Sequence, residues 1–137
     1  MDINSLSQQF TGRKFGDLVL HHIKKQDEPT IVAAMQGTIE ELPQSARASV
    51  ESWIDENTAF GADPSFWQKD CGELFLEICG RARQKLDSHS VRATDDQLLS
   101  MFNIIVLNFA YGARKDPGTK AFIQQSIGIG FLRRLFS

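Results

Sequence analysis

Cysteine is scarce in this 137-residue chain, and none of its short motifs is typical of a catalytic or metal-binding site. Two cysteines, Cys71 and Cys79, are too few for a disulfide scaffold or a zinc ribbon. Together with His21, His22 and His89 they form none of the CxxC, HxxxH or HExxH spacings that metal sites use. The GxSxG pattern of a serine nucleophile is absent as well. The sequence therefore predicts no catalytic residue, no metal ligand and no cofactor.

An excess of charge of one sign and a targeting segment are also missing. The net charge of -2 gives no overall basic field, and the aromatic residues fall mostly on apolar faces rather than among the basic residues of 81–92 and 114–134. Nucleic acid is therefore disfavoured as a partner. The first ten residues lack a basic region followed by an apolar one, so we expect no signal peptide and a cytoplasmic location.

Strand-type alternation of apolar and polar residues is absent, whereas helical spacing recurs along the chain. The length fits one domain, and 42% hydrophobic with 23% charged residues is ordinary for a globular protein. Phenylalanine is the main aromatic, with 10 Phe against 2 Trp and 1 Tyr, and it fills interiors without offering a polar group. We predict an all-α single domain over residues 1–137, built as a bundle of five or six helices.

The segment from Thr94 to Tyr111 is predicted to be the buried central helix of the bundle. Thr94 and Gln97 form a capping-box pattern, in which each side chain accepts a hydrogen bond from the other residue's backbone N–H. Apolar side chains then surround the helix, which is typical of the centre of a fold or of a membrane span. Crossing a bilayer takes about 20 apolar residues, and this run is shorter, so we favour the buried helix. Gly112 is expected to end it.

The clearest amphipathic pattern covers residues 64–87 and predicts one long helix capped by Asp63. Gly72 and Gly80 lower the helix propensity of this segment by up to about 1 kcal/mol each. Their presence indicates either close contact with a neighbouring helix or a kink.

The stretch before this helix contains two further helix signals. Residues 30–36 predict a short helix that ends at Gly37, and the capping-box pattern of residues 38–41 predicts the start of the next helix. The acidic residues within 40–56 are interpreted as a solvated surface.

A pocket between helices is one functional alternative, and three polar residues on otherwise apolar segments are its candidates. His22 lies on the apolar face of the helix predicted for residues 14–26, although such a histidine is more often a hydrogen-bonded core residue than a ligand. Asn103 and Asn108 interrupt the central helix. One cavity lined by all three would indicate a small-molecule-binding protein or an enzyme.

The most unusual surface pattern is the C-terminal segment, residues 128–137. Two glycines, which weaken a helix, come just before large apolar side chains, and two arginines lie on the opposite side. The candidate interface consists of Ile129, Phe131, Leu132, Arg133, Arg134, Leu135 and Phe136. We expect this segment either to close the bundle or to contact another protein or a second copy of the chain. A membrane surface ranks below a protein, since two arginines contribute only about 1 kcal/mol each near anionic lipid.

The predicted function is a non-enzymatic helical protein–protein interaction or regulatory module, able to pair with its own copy. This prediction depends on the missing catalytic and metal patterns and on the separation of the acidic residues of 40–56 from the basic groups. The alternatives are the small-molecule pocket and a peripheral membrane contact through the C-terminal amphipathic helix.

Overall fold

The computed structural model describes the backbone of residues 2–25, 27–42 and 44–136, and their side chains except those of residues 25, 45, 46, 48, 49 and 129–136. Within these residues the chain forms eight α-helices, one 3-10 turn and no β-strand, which confirms the predicted all-α class. The elements are α1 (Ile3–Phe10), α2 (Phe15–Lys25), α3 (Glu28–Glu40), α4 (Gln44–Ala59), the 3-10 turn (Phe60–Ala62), α5 (Pro64–Gln68), α6 (Cys71–Asp87), α7 (Asp95–Lys115) and α8 (Pro117–Phe136).

Helix α7 is the centre of the fold, as predicted. It packs against α1, α2, α3, α4, α6 and α8. Its buried residues are Leu98, Met101, Phe102, Ile104, Ile105, Val106, Leu107, Phe109, Ala110 and Ala113. Because these side chains point in every direction around the helix axis, the other helices surround α7 and cover it.

The two ends of α7 differ in how well local sequence predicts them. At the start both hydrogen bonds of the capping box are present, from Gln97 N to Thr94 Oγ1 (3.1 Å) and from Thr94 N to Gln97 Oε1 (2.9 Å). The predicted end at Gly112 is wrong, because the helix continues to Lys115. The added turn buries Ala113 in the core, and this packing outweighs the low helix propensity of glycine.

The single helix predicted for residues 64–87 is in fact two helices, α5 and α6. The chain breaks at Asp70, whose carboxylate caps α6 and also accepts a hydrogen bond from the backbone N–H of Gly12 at 2.6 Å. Beside it the backbone N–H of Cys71 donates to Arg13 O at 2.7 Å. These contacts with the loop between α1 and α2 replace the hydrogen bonds of a continuous helix. In total the described residues form eight helices, rather than the five or six that were predicted.

The prediction for residues 30–41 is also corrected. One helix, α3, covers residues 28–40, whereas the sequence indicated a helix end at Gly37 and a new start at Thr38. The Thr38 hydroxyl does not act as a cap, because it donates to Ala34 O at 2.8 Å within the helix. Asp27 provides the cap at the true start by accepting from Thr30 N.

The two glycines of α6 have different surroundings. A Cβ atom on Gly72 would lie 2.7 Å from the backbone oxygen of Ser7 and 2.5 Å from Thr11 Oγ1, so α1 and α6 approach each other closely at this position. This confirms close helix contact as the explanation for Gly72. No atom lies within 4 Å of the corresponding position at Gly80, so close contact does not explain that glycine.

A cluster of aromatic rings joins α2, α5 and α7. Trp67 and Phe109 have ring centroids 4.8 Å apart, and Phe15 lies 5.3 Å from Phe66 and 6.0 Å from Phe109. The indole Nε1 of Trp67 donates to Gly61 O at 2.9 Å. We call Phe15, Phe66, Trp67 and Phe109 the aromatic core; it holds the 3-10 turn in place.

Candidate interaction surface

Among the described side chains, two large apolar ones are well exposed to solvent, those of Phe60 and Leu76. Phe60 is 48% exposed and belongs to the 3-10 turn, and Leu76 is 39% exposed on α6. The next residue along the turn explains the exposure of Phe60. A Cβ atom on Gly61 would lie 2.7 Å from the Phe109 ring and 3.1 Å from the Trp67 ring. The turn is therefore pressed against the aromatic core at Gly61, and Phe60 lies outside it.

Phe60 nevertheless contacts one residue of the core and one residue of the surface. Its ring stacks on Phe66 with 6.4 Å between centroids and an interplanar angle of 16°. The guanidinium carbon of Arg81, from α6, lies 4.9 Å from the centre of the Phe60 ring. We call the face formed by Glu56, Phe60, Lys69, Arg81 and Lys85 the Phe60–Arg81 surface.

Arg81 is oriented by a buried amide as well as by the ring. Its Nε donates to Asn57 Oδ1 at 3.0 Å, and Asn57 Nδ2 donates to the backbone oxygen of Trp53 at 2.8 Å. Asn57 is only 1% exposed, so its amide is held rigidly in the core. Burial lowers the pKa of the Arg81 guanidinium, while the nearby Glu77 carboxylate raises it. The guanidinium remains positively charged because arginine does not lose its proton in proteins.

Two concavities are lined by residues of this surface. The first, which we call the α4–α6 groove, has a volume of about 320 Å³ and is lined by Trp53, Glu56, Arg81, Gln84, Lys85 and Ser88. The second has a volume of about 370 Å³ and is lined by Ala59, Phe60, Ala62, Asp63, Ser65, Phe66 and Lys69. Ion pairs of 3.3 Å (Lys85–Glu56) and 3.2 Å (Lys69–Glu77) lie at their edges. The surface thus combines an exposed ring, a fixed cation and two hollows.

The residues proposed from sequence as a pocket are divided between two places. His22 and Asn103 line one groove of about 250 Å³ together with residues of α3 and α7. Asn108 lies elsewhere, where its Nδ2 donates to Thr58 Oγ1 at 2.9 Å. It lines a groove of about 320 Å³ formed by Thr58, Gly61, Trp67, Asn108, Phe109, Tyr111, Gly112, Thr119 and Phe122. The fold therefore brings two of the three residues together.

The C-terminal candidates lie at the end of α8. The backbone of α8 is helical from Pro117 to Phe136 without the loosening that the sequence indicated at Gly128 and Gly130. The side chains of Ile129, Phe131, Leu132, Arg133, Arg134, Leu135 and Phe136 lie outside the described residues. The interface predicted for them stays a prediction.

Both cysteines are buried in the core and unsuited to nucleophilic chemistry. Burial raises the pKa of the Cys71 thiol and that of the Cys79 thiol to about 12 each. Both thiols are therefore protonated at neutral pH, and a protonated thiol is a poor nucleophile and metal ligand. Among the described residues, no three His, Cys, Asp or Glu side chains are grouped so that they could hold a metal ion.

Sequence reasoning placed Glu56 in the acidic stretch and Arg81 and Lys85 in a basic group, but it did not bring them together with Phe60. The one local signal is a large aromatic side chain next to Gly61, between two helical patterns. The positions of Arg81 and Asn57 relative to one another depend on how α4 packs on α6, which a local pattern does not contain.

Comparison with known proteins does not assign this chain to a family. The chain matches no known family model, no curated protein and no solved structure. Within the described residues, no helix is both long enough and apolar enough to cross a bilayer.

Proposed function

We propose that this chain is a non-enzymatic helical module that binds another protein, or a second copy of itself, through the Phe60–Arg81 surface. A cytoplasmic location is part of the proposal. The observation that carries it is the exposure of Phe60 beside a guanidinium that the core holds in position. Fully burying a phenylalanine is worth about 1.5–3 kcal/mol, and Phe60 is 48% exposed, so covering its exposed part against a partner would contribute roughly half of that.

The residue types of this surface are those that dominate binding at protein interfaces. Aromatic side chains and arginine are enriched there, and the strongest contributions come from residues that are desolvated on binding. Because Asn57 and Phe60 already restrict Arg81, ordering its side chain in a complex costs less entropy. The two hollows of this surface offer space for side chains of the partner.

The proposal is tested by capturing partners from extract of the organism that makes the protein, with two matched variants. Phe60→Ser removes the exposed ring of the proposed surface. Leu76→Ser removes the other exposed apolar side chain, which lies roughly 140° around α6 from Arg81, as five residues at 100° each require. We expect a partner that is retained by the wild-type chain and by Leu76→Ser and lost by Phe60→Ser. Equal retention by all three proteins would refute the proposal.

The C-terminal segment is proposed as a second contact, through which two copies of the chain would pair. Arg133 and Arg134 would then lie at the edge of the interface and face the acidic residues of 40–56 on the other copy, which sets orientation more than affinity. Deleting residues 128–137 and measuring mass by light scattering tests this contact. A full-length chain that is already monomeric, or a truncated chain that unfolds, would contradict it.

One observation favours a second candidate function, the binding of a small molecule. The groove at Asn108 is lined by the rings of Trp67, Phe109, Tyr111 and Phe122 together with an amide and two threonine side chains, and its volume of about 320 Å³ lies at the lower end of the range for ligand pockets. Gly112→Phe should fill this groove. Loss of a ligand-induced rise in melting temperature in this variant would support a small-molecule function.

A further inference from the structure

We infer that the α4–α6 groove is a binding site for a carboxylate group, with Arg81 and the indole N–H of Trp53 as its donors. The inference deepens the proposed function and rests on it only for the source of the carboxylate. A protein bound at Phe60 would supply an aspartate or glutamate side chain, and a small carboxylic acid offers the same chemistry. The donors of the groove are the same in either case.

Arg81 presents its guanidinium to the groove in a fixed orientation. Its Nε is already bonded to Asn57 Oδ1, and its head group lies 4.9 Å from the centre of the Phe60 ring. In the described part of the chain its two terminal nitrogens donate no hydrogen bond. Arginine binds a carboxylate through parallel N–H groups in one plane, and this guanidinium still has N–H groups free for an acceptor.

Trp53 supplies a second donor, for which the described residues offer no acceptor. Its side chain lines the groove and is 1% exposed, and its Nε1 has no hydrogen-bond partner among the described residues. A buried N–H without an acceptor is rare because it has lost its water and gained nothing in return. The inference requires the Glu56–Lys85 pair at the rim to move aside, so that a carboxylate oxygen can reach this N–H. That movement is easy, since exposed ion pairs are weak and the Glu56 side chain is 60% exposed.

The charges that line the groove favour a singly charged ligand. Arg81 and Lys85 are positive and Glu56 is negative, so the lining carries one net positive charge. A carboxylate neutralises this charge. A phosphate dianion would leave an excess of negative charge beside Glu56, which like-charge repulsion disfavours.

The test is an NMR titration of the ¹⁵N-labelled full chain with sodium acetate, compared with sodium chloride at equal ionic strength. The two indole N–H signals serve as reporter and control, because Trp53 lines the groove and Trp67 does not. A Trp53→Phe spectrum assigns them. We expect acetate to shift the Trp53 signal in a saturable way and the Trp67 signal much less. No saturable shift, a shift of equal size in chloride, or tighter binding of inorganic phosphate than of acetate would overturn the inference.

Two arginine variants locate the site. Arg81→Gln should weaken acetate binding by about tenfold or more, because it removes the charged donor pair. Arg83→Gln is the matched control, since Arg83 is exposed, pairs with Asp95 at 3.5 Å and lies roughly 160° around α6 from Arg81. If the Trp67 signal shows that Arg81→Gln disturbs the fold, Arg81→Lys replaces it, keeping the charge and losing the planar pair. Equal affinities in the Arg81 and Arg83 variants would overturn the inference.

Failure of this inference and failure of the proposed function give different results. The acetate titration contains no protein other than the chain itself, so acetate binding without any partner at Phe60, whether another protein or a second copy, would support the carboxylate site and refute the proposed function. A partner that Phe60→Ser loses, in a chain that shows no acetate site, would support the proposed function and overturn the inference. When both hold, displacement of the partner by saturating acetate identifies the partner as the source. Retention of the partner assigns the site to a small carboxylic acid.

Discussion

The aromatic core and the Phe60–Arg81 surface are adjacent, yet their polar groups are satisfied to different degrees. The aromatic core contains Trp67, and the Phe60–Arg81 surface lies against Trp53. Both of these tryptophans, the two in the chain, are 1% exposed. Trp67 in the core donates its N–H to Gly61 O, whereas Trp53 beneath the surface has no acceptor among the described residues. Phe66 in the core is buried, and Phe60, stacked on it, is about half-exposed.

This difference indicates what each region is for. The rings of the core pack closely and the Trp67 N–H is hydrogen-bonded, as is usual in a protein interior. Beneath the surface, the Trp53 N–H has no acceptor among the described residues, which is a cost to an isolated chain, and the Phe60 ring beside it is half-exposed. A bound molecule would offset this cost, which is why we propose this surface as the binding site.

A charge in the centre of the core should have the largest effect on stability. Ile105 on α7 has no exposed surface, so Ile105→Asp buries an unpaired carboxylate at a cost of several kcal/mol against a total stability of about 5–15 kcal/mol. We expect the chain not to fold, as judged by circular dichroism. Asn103→Asp, at an exposed position of the same helix, is the control and should fold. A folded Ile105→Asp chain would contradict the central position of α7.

Alkaline pH should weaken the core through its two thiols. The pKa of Cys71 and of Cys79 is raised to about 12 in the folded chain, against an ordinary value near 9. Their contribution is complete below about pH 9 and is lost as the pH rises towards 12, because only the unfolded chain releases these protons. The loss approaches about 1.4 kcal/mol per thiol and pH unit.

Urea unfolding between pH 8 and pH 11 measures this loss. A variant with both Cys71→Ala and Cys79→Ala should depend less steeply on pH than the wild-type chain, even though it is less stable at pH 8. Identical slopes would show that the thiols are already accessible in the folded state.

Adding a methyl group at each glycine of α6 should change stability in opposite directions, because one position is packed and the other is open. Gly72→Ala places Cβ against the backbone oxygen of Ser7, and overpacking of this kind costs about 1–3 kcal/mol. Gly80→Ala meets no atom within 4 Å and should stabilise the helix by about 0.5–1 kcal/mol. Chemical denaturation of both variants measures the two changes, and the same sign for both would contradict the close contact of α1 with α6.

The two tryptophans themselves give the smallest and most specific comparison. Trp67→Phe leaves Gly61 O without its donor, whereas Trp53→Phe removes an N–H that had no acceptor. Both variants lose similar volume, so the difference reports the hydrogen bond. We expect Trp67→Phe to be less stable than Trp53→Phe by about 1–2 kcal/mol in urea unfolding. Equal losses would show that the Trp53 N–H is satisfied in solution.

Features that depend on a few neighbouring residues were predictable from sequence, and features that depend on distant ones were not. The cap at Thr94 and the apolar surround of α7 are local and were predicted correctly. The break at Asp70 was missed because its carboxylate also bonds to Gly12, 58 positions away. The exposure of Phe60 depends on the close approach of Gly61 to Trp67 and Phe109, and no spacing rule encodes it.

Site-specific photo-crosslinking in growing cells tests the proposed binding surface most directly. p-Benzoylphenylalanine placed at position 60 lies at the centre of the Phe60–Arg81 surface, and the same residue at position 76 reports the other exposed apolar site. We predict discrete products of higher mass at position 60, from a partner or from a second copy of the chain, and none at position 76. No product at position 60, or the same products at both positions, would contradict the assignment of binding to this surface.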